Sequence, residues 1–155
     1  MPPTVQDPNP PKPENNPNSL AQFGVFVDGL DLGFFTGCDG LAAEYAVEEV
    51  LEGGVNGYSY KLPGRVKYTN VKLSRLLTRE SSKTAAWFSK YAAKGVQRGQ
   101  ATIWLFDVES KPICHWVLKE VHPLKWTGPN FSTDGSGVAK ETLELIYHGF
   151  EWQPS

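Results

Sequence analysis

At 155 residues and 40% apolar, with five Trp, six Tyr and eight Phe, the chain can close one hydrophobic core without a structural metal or a disulfide framework. A formal charge of −2 excludes a general electrostatic affinity for nucleic acid, which needs clustered Lys and Arg to displace counterions, so no specific nucleic-acid site is expected.

The first nineteen residues, MPPTVQDPNPPKPENNPNS, hold seven of the twelve prolines and almost nothing apolar. Such a segment cannot bury enough surface to offset its ordering entropy. Residues 1–19 therefore read as a disordered or polyproline-like extension, either a solvated tail or an arm that orders against a neighbouring subunit. The folded domain is expected over residues 20–155. It opens with QFGVFVDG, a strand with Phe23, Val25 and Val27 on one face, ended by the Asp28-Gly29 turn signal. After the glycine-punctuated GFFTGCDG, the run LAAEYAVEEVLE alternates, with Ala43, Tyr45 and Val47 against Glu44 and Glu48. Ala and Glu favour a helix, but the period of two and the stop at Gly53-Gly54 predict a strand.

Further strands are predicted at GYSYKLP and at YTNVKLSRLL, where Val71 and Leu73 alternate with Lys72 and Ser74. ESSKTAAWFSKYAAKG is the one convincing helix. Ser81 or Ser82 is placed to cap it, Trp87/Tyr91 and Phe88/Ala92 pair at i,i+4, Lys94 lies in its last turn and Gly95 just beyond. ATIWLFDVE, ICHWVLKEV and VAKETLELIYHGFEW then read as strands. One helix among six or seven strands with short connections predicts a mainly β domain, an antiparallel sandwich or barrel carrying a helix.

Candidate chemistry is thin. Cys38 and Cys114 form no Cys-x-x-Cys pair and read as reduced structural thiols. His115 and His122 lie an odd seven residues apart, on opposite faces of a regular strand, with no carboxylate at ligand spacing, so no metal is expected. Asp28, Asp31 and Asp39 do not follow calcium-loop spacing and read as turn residues. Gly53, Gly54 and Gly57 precede no Lys-Ser or Lys-Thr, so they form no phosphate loop. Glu48 and Glu49, adjacent on a strand, cannot share one site. No enzymatic activity and no cofactor are expected. Trp104, Trp116, Trp126 and Trp152 leave open a monomeric β-sandwich that binds a ligand or carbohydrate. Against it stand strands that are apolar on both faces: Ile103 and Leu105 on one, Trp104 and Phe106 on the other. Such strands need cover on both sides, and open sheets leave edges that must be blocked, paired or closed. A neighbouring copy supplies both.

No charged-then-apolar leader opens the chain, and nothing approaches the roughly 20 apolar residues of a membrane span. Cytoplasmic synthesis without a signal peptide is the expectation.

Four stretches, FGVFVDGLDLGFFTGCDGL, EEVLEGGVNGYSYKLPGRVKYTNVKLSR, the helix containing AAWF, and HPLKWTGPNF followed by VAKETLELIYHG, together resemble the inner-tube (tail-tube) proteins of contractile phage tails and phage-tail-like contractile injection systems. The final YHG departs from the His-Glu-Gly-like triplet common in that family, and the Pro-rich extension is longer than most. The resemblance implies two packed antiparallel sheets with a flanking helix, whose hairpins join a hexameric ring barrel. Stacked rings would form a hollow tube inside a contractile sheath, with a baseplate, a tube terminator and possible lumen cargo as partners, and a target membrane met only by the assembled tube. It makes Trp126, Gly128, Pro129 and Glu141 structural motif residues. A loop from about Glu52 to Tyr68, with Gly53, Gly54, Asn56, Gly57, Pro63, Gly64 and Arg65, would reach the adjacent ring. Glu44, Glu48, Lys72 and Ser74 would face the lumen.

Overall fold

In a computed structural model the described residues are 22–51, 60–95, 99–129 and 139–154; the extension at residues 1–19 lies outside them. The described elements run β1 (Gln22–Val27), β2 (Leu30–Phe35), β3 (Gly37–Asp39), β4 (Ala43–Val50), β5 (Tyr60–Tyr68), β6 (Val71–Leu76), α1 (Ser81–Lys94), β7 (Gly99–Phe106), β8 (Pro112–Thr127), β9 (Lys140–Ile146) and β10 (Phe150–Pro154).

Alternation sets β1: Val25 and Val27 are fully buried, and Phe23 packs against the core beside them. Asp28 and Gly29, at φ 51° and 78°, turn the chain in two residues, the conformation that matches the twist of a tight hairpin. GFFTGCDG is not a connection but strand: Phe35 returns beside Phe23, and Gly37–Asp39 pair with β6. Its glycines serve the pairing. The register of β1 and β2 shifts between Val25 and Phe26, and Gly33 takes φ 85° there while its N–H donates to Asp31 Oδ1 at 2.7 Å.

Strand β8 decides the architecture. Its first part pairs with β10 and its last part with β9. Between them Glu120 takes φ 51° and, on the facing chain, Gly149 takes φ 141°. The Lys119 N–H to Gly149 O bond (2.8 Å) and the His148 N–H to Lys119 O bond (2.9 Å) carry the ladder through this bend. VAKETLELIYHGFEW is thus two strands with a corner at Tyr147–Gly149. The corner divides the strands into two antiparallel sheets, β10-β8-β7-β1-β2 and β8-β9-β6-β3, which share β8. Val25, Val27, Ala101, Ile103 and Leu118 of the first meet Val71, Leu73, Leu143 and Leu145 of the second in one core. The expected two-layer sandwich with one helix is what forms.

Helix α1 starts differently from the sequence reading. Its N-cap is Glu80, already helical at φ −70°, and makes no side-chain capping bond. Ser81 Oγ accepts from the Thr78 N–H at 3.1 Å, and the Ser82 hydroxyl donates to Arg79 O at 2.9 Å. Ser81 N–H also donates to Thr78 O, so both serines close the preceding turn and the helix grows out of it. The far end matches expectation, with Lys94 in the last turn and Gly95 at φ 78°. The Trp87 and Tyr91 rings lie 5.3 Å apart, and Trp87 seals the core.

One buried ion pair ties these layers together. Arg75 on β6 and Glu141 on β9 stand directly opposite each other, 3% and 0% exposed. Arg75 Nε donates to Glu141 Oε2 at 2.8 Å, Nη1 to Leu32 O at 2.6 Å and Phe34 O at 3.3 Å, and Nη2 to Thr84 Oγ1 at 2.9 Å. Trp126 Nε1 donates to the other carboxylate oxygen at 2.8 Å, and the guanidinium lies 4.2 Å above the Phe35 ring. Both sheets and the helix thus meet at one charge pair.

The two cysteines are free thiols. Burial, and then the Asp39 carboxylate, push the Cys38 thiol up to about 12.

Replacing Arg75 with Leu leaves Glu141 buried and unpaired, and should lower the unfolding free energy by about 3–5 kcal/mol. The double change Arg75→Leu, Glu141→Leu should cost less than either single change. Urea denaturation of the three variants checks this, and a double variant less stable than both singles would contradict it. At pH 8, alkylation of Cys38 in the native protein should run roughly a thousandfold slower than in the unfolded chain, whose thiol is ordinary. Peptide mass spectrometry after iodoacetamide reads that ratio.

Candidate self-assembly surface

Among the described residues, strands β4 and β5 form a two-stranded sheet of their own, with no ladder to the main body. Opposite charges face each other across it, Glu44 to Lys67 and Glu49 to Lys61, and Tyr45 faces Val66. Its register shifts where Gly64 and Arg65 oppose the single residue Ala46, a bulge in β5. A Cβ on Gly64 would fall 2.9 Å from Ala46 O, so glycine lets the strands close there. Pro63 is tolerated because the outer edge of β5 has no partner among the described residues.

The hairpin replaces part of the expected loop. Pro63, Gly64, Arg65 and Tyr68 lie in β5, because the bulge absorbs the Pro-Gly pair that reads as a turn in sequence. Glu52, Gly53, Gly54, Asn56 and Gly57 lie outside the described residues.

The hairpin is exposed on both faces and its apolar side chains are not withdrawn. Tyr45 is 61% exposed, Val47 62% and Leu62 50%. Tyr45 and Val47 lie on one face of β4, with Glu44 and Glu48 on the other. Its root, by contrast, is fixed. The Tyr147 hydroxyl donates to Gly40 O at 3.1 Å and Ala42 O at 3.4 Å, and the Thr69 N–H donates to Ala42 O at 3.1 Å. Tyr68 packs 5.5 Å from the Tyr147 ring and 5.9 Å from Phe150. Gly40, at φ 93°, passes so close to β6 that a Cβ would sit 1.9 Å from Asn70 O. The ribbon leaves the body at a set direction.

A second unfinished feature is an edge. The β7 ladder on β8 ends at Gly99 and Val121, so beyond Val121 one side of β8 is unpaired among the described residues while the other holds β9.

The expected lumen residues fall into two groups. Lys72 and Ser74 share the outward face of β6. Lys72 lies between Asp39 and Glu144, and Glu144 in turn faces Lys125, so charges alternate across four strands. Glu44 and Glu48 sit apart from them on the hairpin. Trp126 and Glu141 are joined by their hydrogen bond, and Gly128 lies under the Trp126 ring, where a Cβ would come within 3.1 Å. Pro129 closes the described run after it.

The aromatic platform does not form. Trp104 is buried, Trp116 packs against the core, Trp126 is tied to Glu141, and Trp152 alone of the four is exposed. His115 stacks on Trp104 while His122 lies against Tyr91. Asp28 and Asp31 serve turns, accepting from the Gln100 and Gly33 amides. Among the described residues no three His, Cys, Asp or Glu side chains gather as metal ligands, and no helix is long and apolar enough to cross a membrane.

No curated protein matches the chain. Solved structures share its fold. A chain of the PVC sheath–tube complex, an extracellular contractile injection system in the extended state, superposes with TM-score 0.72 at 21% identity, over 86% of this chain and 89% of that one. A chain of the anti-feeding prophage baseplate, 6-fold symmetrised, gives 0.72 at 21% identity over 93% and 97%. The tube-terminating cap of the anti-feeding prophage gives 0.71 at 20% identity over 100% of both chains. A family model for the T4-like virus tail tube protein gp19 matches residues 20–151. With nearly all of its folded body inside that match, the chain belongs to the T4-like tail tube protein family.

Proposed function

We propose that this protein is the structural subunit of an inner tube, in a contractile phage tail or a phage-tail-like injection system. The observation that carries the reading is the β4–β5 hairpin, firmly rooted yet apolar and exposed on both faces. A lone two-stranded ribbon is marginal in water, and covering its Tyr45–Val47 face and pairing its edges needs neighbours. Identical copies in a heterologous, head-to-tail arrangement supply them: rotation that closes gives a ring, here of six, and contacts between ring faces extend it into a tube. Pairing along the free edge of β8 would remove the remaining exposed ladder.

The outward face of β9, β6 and β3, with Lys72 and Ser74, then faces the lumen. Glu44 and Glu48 join it where the hairpin completes the wall. Because Asp39, Lys72, Glu144 and Lys125 alternate in sign, the wall carries little net potential, and cargo of either charge passes without adhering. The residues between β4 and β5, Glu52 through Gly57 among them, would reach the next ring. Sheath, baseplate and terminator are the expected partners, as the complexes containing the similar folds suggest. The role is mechanical rather than catalytic: cytoplasmic synthesis, assembly, and passage through a target membrane only as part of the driven tube.

Purified protein should give rings or tubes by negative-stain electron microscopy and light scattering. The variant Tyr45→Asp, Val47→Asp should keep its circular dichroism spectrum and melt within a few degrees of wild type, because exposed positions contribute roughly 0.5 kcal/mol or less each. It should form no rings. Rings at wild-type abundance in this variant would overturn the reading.

Gly54→Val tests stacking separately, by adding a β-branched side chain where close backbone approach between rings is proposed. Single rings should persist while tubes become rare. Tubes of unchanged length would remove residues 52–57 from the stacking contact.

A further inference from the structure

A second buried surface lies outside the core. On the face of β1-β7-β8 that points away from the core cluster, an aromatic row crosses the sheet. The Phe34 and Phe106 rings are 5.7 Å apart, Phe106 and Trp104 6.5 Å, and Trp104 stacks on His115 at 4.1 Å. None of these four belongs to the core cluster. Gly24, the β1 residue in register between Phe34 and Trp104, adds no side chain and leaves a slot in the row. Trp104, Phe106 and His115 are 8%, 1% and 6% exposed. Helix α1 does not account for that: of its buried residues, Ser81 closes the preceding turn, and Thr84 and Trp87 serve the Arg75 network and the core. Among the described residues, Trp104 Nε1 and both ring nitrogens of His115 are buried and find no hydrogen-bond partner. Orphaned polar groups of this kind are rare and call for a partner.

We infer that this row is the docking site for the proline-rich segment Pro8–Pro13 of the same chain. PNPPKP contains two overlapping Pro-x-x-Pro registers, Pro8/Pro11 and Pro10/Pro13. Such a segment favours the polyproline II helix, whose carbonyls are unengaged and whose proline rings fit aromatic slots at little entropic cost. The Trp104 indole N–H and one imidazole nitrogen donate to those carbonyls, and the other imidazole nitrogen accepts the amide of Asn9 or Lys12. Prolines supply no amide hydrogen, so only these two positions in the stretch can satisfy that acceptor.

Reach favours the same chain. The described body begins at Gln22, which pairs directly with Phe106, so the extension starts beside the row. The residues between Pro13 and Gln22 can span up to roughly 30 Å extended, more than the few strand spacings of about 4.8 Å that the row covers. The inference is independent of ring formation.

Carbethoxylation of His115 by diethyl pyrocarbonate, quantified by peptide mass spectrometry on the full-length protein, tests it. His148, which is exposed, serves as the internal control. In the variant Pro8→Ala, Pro10→Ala, Pro11→Ala, Pro13→Ala, His115 should react about tenfold or more faster, with His148 unchanged and acrylamide quenching of tryptophan increased. A chain lacking residues 1–19 should behave the same way. Equal His115 rates in wild type and both variants would overturn the docking. If mixing full-length chains with chains lacking residues 1–19 restores protection to His115 of the shortened ones, the same-chain assignment falls.

Discussion

The Arg75–Glu141 pair is the constraint on which the rest depends. A charge buried this deeply is tolerated only if its partner and its hydrogen bonds are all in place. Here the pair and its partners are drawn from five elements. Glu141 on β9 neutralises the guanidinium and Trp126 on β8 completes the carboxylate. Carbonyls of β2 and the Thr84 hydroxyl of α1 use the remaining donors. An apolar contact at this point would accept several side-chain arrangements. A planar guanidinium with directed donors accepts few. The relative placement of the two sheets and the helix is therefore held by direction as well as by burial.

That rigidity matters because the hairpin and the β8 edge are unfinished. In the proposed ring, a ribbon that meets an identical ribbon on the next copy needs a fixed exit angle, and the root supplies one through Tyr147, Tyr68 and the close passage of Gly40 against Asn70. A small angular error at each subunit would accumulate around a closed ring, so a loosely rooted ribbon would not close. The corner at Glu120 and Gly149 serves the same end, folding one long strand pair so that a single β8 belongs to both layers.

Much of the fold is legible in the sequence because its signals are local. The Asp28-Gly29 turn, the alternation at Val25/Val27 and Val71/Leu73, and the Trp87/Tyr91 spacing each act within a few residues. What escaped the reading depends on partners distant in the chain. Pro63-Gly64 looks like a turn until Ala46 opposes it across a bulge. Ser81 and Ser82 look like caps until Thr78 and Arg79 take their hydroxyls. The ion pair did leave a trace: Arg75 continues the inward period of Val71 and Leu73, and Glu141 that of Leu143 and Leu145. A charge on the buried face of each of two strands is a signal that they meet. The proposed self-assembly surface was legible only as a deficit, apolar residues on strands with too little in the chain to cover them.

The distribution of that deficit bears on how a tube could be both stiff and dischargeable. Exposed apolar side chains concentrate on the hairpin, where each copy would meet its neighbours in the proposed ring, while the outward face of β9, β6 and β3 alternates Asp39, Lys72, Glu144 and Lys125. Apolar burial is non-directional and tolerates slight rotation between subunits, whereas strand hydrogen bonds fix register. Hairpins that use both would resist shear along the axis through their ladders while their apolar contacts absorb bending. If the outward face of β9, β6 and β3 lines the bore, as proposed, its paired opposite charges would add no adhesive patch to oppose movement through it. Strong self-contact and weak cargo contact are demands on opposite surfaces of one thin domain. Two sheets sharing a bent strand let a single chain of this size meet both.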